Sequence, residues 1–145
     1  MESSDKEKVE KLKKWFSGDR YAEFSGLKIA CVDCEKAVIE AEVRDVHLNA
    51  NGVVQGGMLY TAADFAFAVL TNFIHPDTVS QCGHITYLRP AACSRLVAEA
   101  REIARNGRNC VGEVVVKSET GDVICVSTFN GFVKDGGKPF QKTDK

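Results

Sequence analysis

Apolar positions change their period several times along the chain. Between residues 5 and 16, Val9, Leu12, Trp15 and Phe16 fall on one helical face, with Lys and Glu between them. That spacing predicts a short amphipathic helix, capped by Ser3 or Ser4 and closed before Gly18. From Gly26 the pattern becomes that of strands. Ala37, Ile39, Ala41 and Val43 alternate with Glu40, Glu42 and Arg44, so one face is apolar and the other charged. A loop rich in Asn and Gly follows, from His47 to Gly57. The run Met58–Leu70 is then apolar nearly all round and rich in Ala. It is too long for an average strand, so it predicts a buried helix. Four alternating runs complete the pattern: Val79–Leu88, Leu96–Arg105, Asn109–Lys117 and Val123–Val133. Asn106-Gly107 predicts a hairpin between the second and third of these, Thr120-Gly121-Asp122 the next turn, and Pro90 the end of the first. The tail, Lys134 to Lys145, is polar and is expected to fray.

The order is therefore helix, two strands, one long buried helix and an antiparallel meander of long strands. That is an α+β arrangement, with one apolar helix on one face of a curved antiparallel sheet. The expected organisation is an N-terminal helical extension over residues 1–25, one domain over 26–133, and a polar tail over 134–145. With 145 residues, 44% hydrophobic and 27% charged, the chain can fold without metal or disulfide. Nineteen Lys and Arg against 20 Asp and Glu give a formal charge of -1. A nucleic-acid binder needs a basic surface, so no such partner is expected. No membrane span is expected either, nor a secretory signal in the charged segment Met1–Lys14. Six cysteines fall mostly in apolar alternating stretches, where a thiol packs as a small hydrophobe. Cys31 and Cys34 have zinc or redox spacing but no second pair beside them, so no metal is expected. The expected compartment is the cytoplasm.

Asp64 is the only charged side chain between Asp45 and Asp77, and it sits inside the apolar helix. A carboxylate in such a place has either a partner or a task. It can accept structural hydrogen bonds, or it can serve as nucleophile or general base. Tyr60, Thr61 and Ala68 are its helical neighbours. Seven residues earlier, Gly56-Gly57 lets a ligand approach the start of the helix, where free N–H groups meet the positive end of the dipole. A polarising donor and a carboxylate are the two requirements of acyl transfer.

These residues resemble a known pattern. Asn49-x-x-Gly52-x-x-Gln55-Gly56-Gly57 followed by Asp64 is similar to the Asn-x-x-Gly-x-x-His-Gly-Gly-x6-Asp pattern of hotdog-fold acyl-CoA thioesterases of the phenylacetate-pathway type. Ile85-Thr86-Tyr87-Leu88-Arg89-Pro90, Arg105-Asn106-Gly107-Arg108 and Thr128-Phe129 also fit, so the resemblance covers about residues 26–133. It implies the hotdog fold, a sheet wrapped around a central helix. It implies Asp64 as the catalytic carboxylate, the Gly57 N–H as the donor to the thioester carbonyl, and Asn49 as the residue orienting substrate or water. Gly56 and Thr61 would line the substrate site. Arg89, Arg105 and Arg108 would meet the phosphates of coenzyme A. Phe65, Phe67 and Leu70 would line the acyl pocket. No cofactor is required. Each site would be shared between the two chains of a homodimer, with two dimers pairing into a tetramer.

Gln55 departs from the pattern, which has His there. An amide can donate a hydrogen bond but cannot take up a proton near neutral pH. Other functions on the same fold remain: a non-catalytic acyl-CoA sensor, which would not need Asp64, and a hydratase or dehydratase, which would pair a carboxylate with a His absent from the 58–70 helix. His84 shares a strand face with Cys82 and Thr86 and reads as structural. His47 and His75 have no acid or Cys partner at motif spacing.

Overall fold

The helix predicted over 58–70 is longer at both ends and organises everything else. The computed structural model describes residues 3–134. Its elements are α1 (Ser3–Phe16), α2 (Arg20–Phe24), β1 (Lys28–Val32), β2 (Ala37–Glu42), a single 3-10 turn (Asp45–His47), α3 (Gly56–Ile74), β3 (Thr78–Tyr87), β4 (Arg95–Asn106), β5 (Asn109–Ser118) and β6 (Val123–Val133). The six strands form one antiparallel sheet in the order β1-β2-β4-β5-β6-β3. The sheet curls around α3, which is the hotdog architecture.

Two expectations change. The four long strands are not a simple meander. Hairpins join β4, β5 and β6, with Gly107 at φ 60 and Gly121 at φ 87, but β3 crosses the sheet to pair with β6, and β4 pairs with β2. The connection from β3 to β4 runs through Pro90 and has no tight-turn sequence, so it can span the sheet. At the N-terminus, Ser3 and Ser4 lie within α1 rather than capping it. The tail expected to fray lies outside the described residues, apart from Lys134.

The core explains the apolar stretch. Phe67 and Leu70 are fully buried, and the Phe67 ring stacks on Phe129 with centroids 5.5 Å apart. A Cβ at Gly112 would fall 2.7 Å from the Phe67 ring, so only glycine lets the ring lie flat on the sheet there. The N-terminal helices cover a second side of α3. Phe16 meets Phe65 edge-to-face at 5.4 Å, and the Lys8 ammonium lies 4.3 Å from the Phe73 ring centre. By length and composition α3 could cross a membrane, but 67% of that stretch is buried inside the fold. Cys110 and Cys125 pack in the core as expected, whereas Cys31, Cys34 and Cys82 are exposed; all six thiols are free.

One polar residue ties the end of α3 to the sheet. Buried Asn72 donates from Nδ2 to the Ala68 and Thr78 carbonyls, and its Oδ1 accepts the Thr78 N–H at 3.1 Å. It thereby fixes where β3 starts. Asn72→Ala strands two buried backbone groups of Thr78 and should lower stability by about 2–4 kcal/mol. Chemical denaturation reads this directly. A loss below about 0.5 kcal/mol would mean that Thr78 finds other partners.

Candidate active site

The loop before α3 is closed by its own side chains. Asn49 Oδ1 accepts the N–H groups of Asn51 at 2.9 Å and Val53 at 3.3 Å, and Gly52 turns the chain at φ 74. The Gln55 N–H reaches back to the His47 carbonyl. The Asn49 side-chain oxygen therefore shapes the loop, as in Asx turns.

Gln55 is the N-cap of α3, and its Oε1 accepts the Gly57 N–H. The donor expected to be free is thus engaged. The cause is the orphan N–H of the first helical turn, which takes the nearest acceptor. A Cβ at Gly57 would lie 2.6 Å from Oε1, so glycine permits this closure. On the other side, the Tyr87 hydroxyl donates to the Gly56 carbonyl at 3.0 Å.

Asp64 lies two turns farther along α3, half-buried. Its Oδ1 accepts the Ser80 hydroxyl of β3 at 2.9 Å. Burial pushes its pKa above the ordinary 3.8; the Ser80 hydrogen bond pulls it back in part, and nearby Asp19 adds to the rise. Burial and the Asp64 charge also push the Tyr60 phenol up. Thr61, expected to line the substrate site, spends its hydroxyl on the Gly57 carbonyl at 2.7 Å. Gly57, Thr61, Asp64 and Ala68 still form one incompletely covered strip along α3. Seven residues at 1.5 Å put Gly57 and Asp64 about 10 Å apart along the helix.

The three arginines separate. Arg89 lines a cavity of about 420 Å³ with Asn49, Val53, Gly56, Tyr87 and Leu88, and its guanidinium stands 3.4 Å from Asp122. Arg105 and Arg108 lie at the other end of α3. Arg105 bonds His75 Nδ1 at 2.8 Å and the Gly107 carbonyl at 3.1 Å, and Arg108 lies over the Phe132 ring. His75 has an acid partner after all: its Nε2 is 2.8 Å from Glu102, 27 residues away. Sequence spacing could not have found that pair. Of Phe65, Phe67 and Leu70, the residues expected to line an acyl pocket, Phe65 alone borders a cavity. It borders a cavity of about 400 Å³ with Phe16, Ala22, Leu27, Ile29 and Asp19, whereas Phe67 and Leu70 are core. Among the described residues no three His, Cys, Asp or Glu side chains cluster as metal ligands.

Sequence reasoning missed Ser80 and Tyr87. They are seven positions apart, which puts them on opposite faces of a regular strand. A bulge at Gln81 shifts the register, so Ser80 pairs with Gly131 and Tyr87 with Cys125, and both side chains face α3. The Asp64–Ser80 and Gly56–Tyr87 contacts therefore lie on one seam between α3 and the edge strand.

The sequence model of the Thioesterase superfamily matches residues 51–125. A mutant of the phenylacetic acid degradation protein PaaI from Thermus thermophilus is 34% identical, covers 77% of this chain and 96% of its own, and superposes with a TM-score of 0.73. The PaaI protein of the E. coli phenylacetic acid degradation operon shares the fold at a TM-score of 0.84, 22% identical over 90% of this chain and 95% of its own. A hypothetical thioesterase from Streptococcus pneumoniae, solved with coenzyme A, shares it at 0.78, 24% identical over 86% of this chain and 98% of its own. Matched by that family over more than half its length, the chain belongs to the thioesterase superfamily, whose chemistry is thioester hydrolysis.

Proposed function

We propose that the protein hydrolyses acyl-CoA thioesters to a carboxylic acid and coenzyme A, with Asp64 as the reacting carboxylate. The observation that carries this is Asp64 itself: a half-buried acid in an apolar helix, held by one hydroxyl and left on an incompletely covered strip. Either the carboxylate removes a proton from water as water attacks, or it attacks the carbonyl and water then cleaves the mixed anhydride. In both cases a C–O bond forms, the C–S bond breaks, and a proton from water ends on the thiol. The developing oxyanion needs a donor, and the Gly57 N–H at the start of α3 suits it. Gln55 Oε1 has to yield that N–H when the thioester oxygen arrives. Arg89 stands at the mouth of the cavity beside Gly56, where an anionic carrier would enter. Arg105 and Arg108 lie at the other end of α3, so they would meet phosphate from the partner chain of an antiparallel pair. Free thiols throughout suit the cytoplasm as the working compartment.

The reading requires two copies. A donor and a carboxylate about 10 Å apart on one helix cannot both touch one carbonyl group. β3 is an edge strand of ten residues with its far side unpaired among the described residues, and such an edge is a template for another strand. Two copies joined there across a two-fold axis would bring their α3 strips together antiparallel. Gly57 of one would then face the partner's Asp64. Dimers of this kind would pair further into a tetramer. Sedimentation velocity should find a dimer or larger at micromolar concentration; a monomer would remove the shared site.

A screen of short, medium, long and aromatic acyl-CoAs should release thiol from at least one class. Asp64→Asn should abolish that turnover by at least a thousandfold while leaving acyl-CoA binding intact. The raised pKa means that ionised Asp64 opposes folding above its ordinary range, so the mutant's melting temperature at neutral pH should stay level or rise. For the same reason kcat/KM should climb with pH along an acid limb lying above 3.8, because the carboxylate is the active form. Ser80→Ala removes a hydrogen bond that favours the ionised form, and should move this limb upward. A limb unmoved by Ser80→Ala, or wild-type turnover by Asp64→Asn, would contradict the assignment.

Gln55 gives an independent test. Gln55→His should keep or raise the rate, since imidazole can supply a donor. Gln55→Ala removes both the Oε1 that has to yield the Gly57 N–H and the Nε2 donor, and should lower the rate by about tenfold to a thousandfold because loss of that donor outweighs the freed N–H. An unchanged rate would confine Gln55 to capping the helix.

A further inference from the structure

The cavity that Phe65 borders has no part in the chemistry above. It lies between α1, α2, β1 and α3, and its volume of about 400 Å³ is in the range of small-molecule sites. We propose that the N-terminal helices build an acyl pocket here, which takes an unbranched hydrocarbon chain of about ten carbons from a thioester whose carbonyl stands at Asp64. This inference names the substrate class of the function proposed above and rests on it.

The hollow is built by local structure. α1 ends at Phe16, and Asp19 then caps α2 by accepting the Ala22 N–H at 3.0 Å. α2 is only five residues long, and Gly26 at φ 74 turns the chain into β1. Phe16, Ala22, Leu27 and Phe65 form the buried floor. Protein interiors are close-packed, so an apolar hollow of this size forfeits dispersion contacts that an occupant would restore. The buried floor holds no charged side chain, so the group it accepts is a hydrocarbon. A methylene fills about the 30 Å³ of a water, so the space holds about a dozen carbons, or about ten once its open mouth is discounted. A benzoyl-sized group would leave about half of it empty. Two residues tie the cavity to the acid. Phe65 follows Asp64 in α3, and Asp19, fixed as the α2 cap, lines the cavity and acts on Asp64 through its charge. No residue lines both this cavity and the one beside Arg89, so acyl tail and carrier have separate spaces.

The test is a series of straight-chain acyl-CoAs with two variants at one position. In the wild type kcat/KM should rise from butyryl-CoA to decanoyl-CoA, by up to about fourfold per methylene, and level off beyond it. Ile29, half-buried on β1, lines the cavity. Ile29→Trp fills the space and should lower the ratio of decanoyl to butyryl kcat/KM by about tenfold or more. Ile29→Ala widens it and should carry the rise about two carbons further. A ratio within one variant does not depend on how much of it folds, since misfolded protein lowers both rates alike. Binding needs no turnover: Asp64→Asn should bind decanoyl-CoA more tightly than butyryl-CoA, and adding Ile29→Trp should remove the difference. If the wild type hydrolyses thioesters but Ile29→Trp leaves the ratio unchanged, the inference is overturned and the function stands. Hydrolysis of aromatic acyl-CoAs in preference to decanoyl-CoA overturns it in the same way. If the wild type releases no thiol from any acyl-CoA, the function fails, and this inference fails with it whatever the binding shows.

Discussion

Everything in this fold answers to one constraint: a 19-residue helix that is apolar on almost every side must be kept from water. One sheet face cannot do that, so six strands curl around it and the N-terminal helices close a further side through Phe16 and Lys8. The remaining strip carries the small residues Gly57, Thr61 and Ala68, with Asp64 among them. The fold leaves uncovered the one part of α3 where a charge could be useful. The edge strand beside it supplies Ser80 and Tyr87 and, among the described residues, has no strand on its far side.

Burial and polarity meet at two points on that strip. At Asp64, partial burial raises the pKa while a single hydroxyl holds the carboxylate in place. A fully hydrogen-bonded carboxylate would be more stable and less basic. At the start of α3, the free N–H of the first turn is capped by the residue that replaces the pattern's His. A side-chain carbonyl oxygen thus takes the Gly57 N–H, and Gly57 makes room for it. The same structure holds a half-buried acid on the incompletely covered strip and keeps the Gly57 N–H engaged by Gln55.

Much of this was legible in the sequence. Apolar periodicity placed the central helix, and the turn residues placed the β4–β5 and β5–β6 hairpins, because those signals are local. The isolated carboxylate and the paired glycines marked the candidate site for the same reason. What stayed hidden depends on register or on distance along the chain. The bulge at Gln81 turns Ser80 and Tyr87 to the same face, and alternation alone puts them on opposite faces. Arg105 and Glu102 meet His75 from about 30 positions away. The resemblance implies Phe67 and Leu70 as pocket residues, and apolar periodicity could not correct it, because it does not tell a core face from a cavity wall. Asn49 has the right type for a substrate contact, yet its oxygen closes its own loop, a competition that Asn enters wherever the chain turns.

The central claim is that a working site takes its carboxylate from one chain and its N–H donor from another. Mixing two inactive variants tests it most directly. Asp64→Asn lacks the carboxylate. Gly57→Pro lacks the N–H, at a first-turn position where a helix tolerates proline. Unfolded together and refolded, so that chains exchange, the two should regain about a quarter of wild-type turnover, since half of randomly paired dimers are mixed and each mixed dimer holds one intact site. A mixture that stays as inactive as its parents, although mixed dimers form, would mean that each chain builds its site alone and would contradict the account.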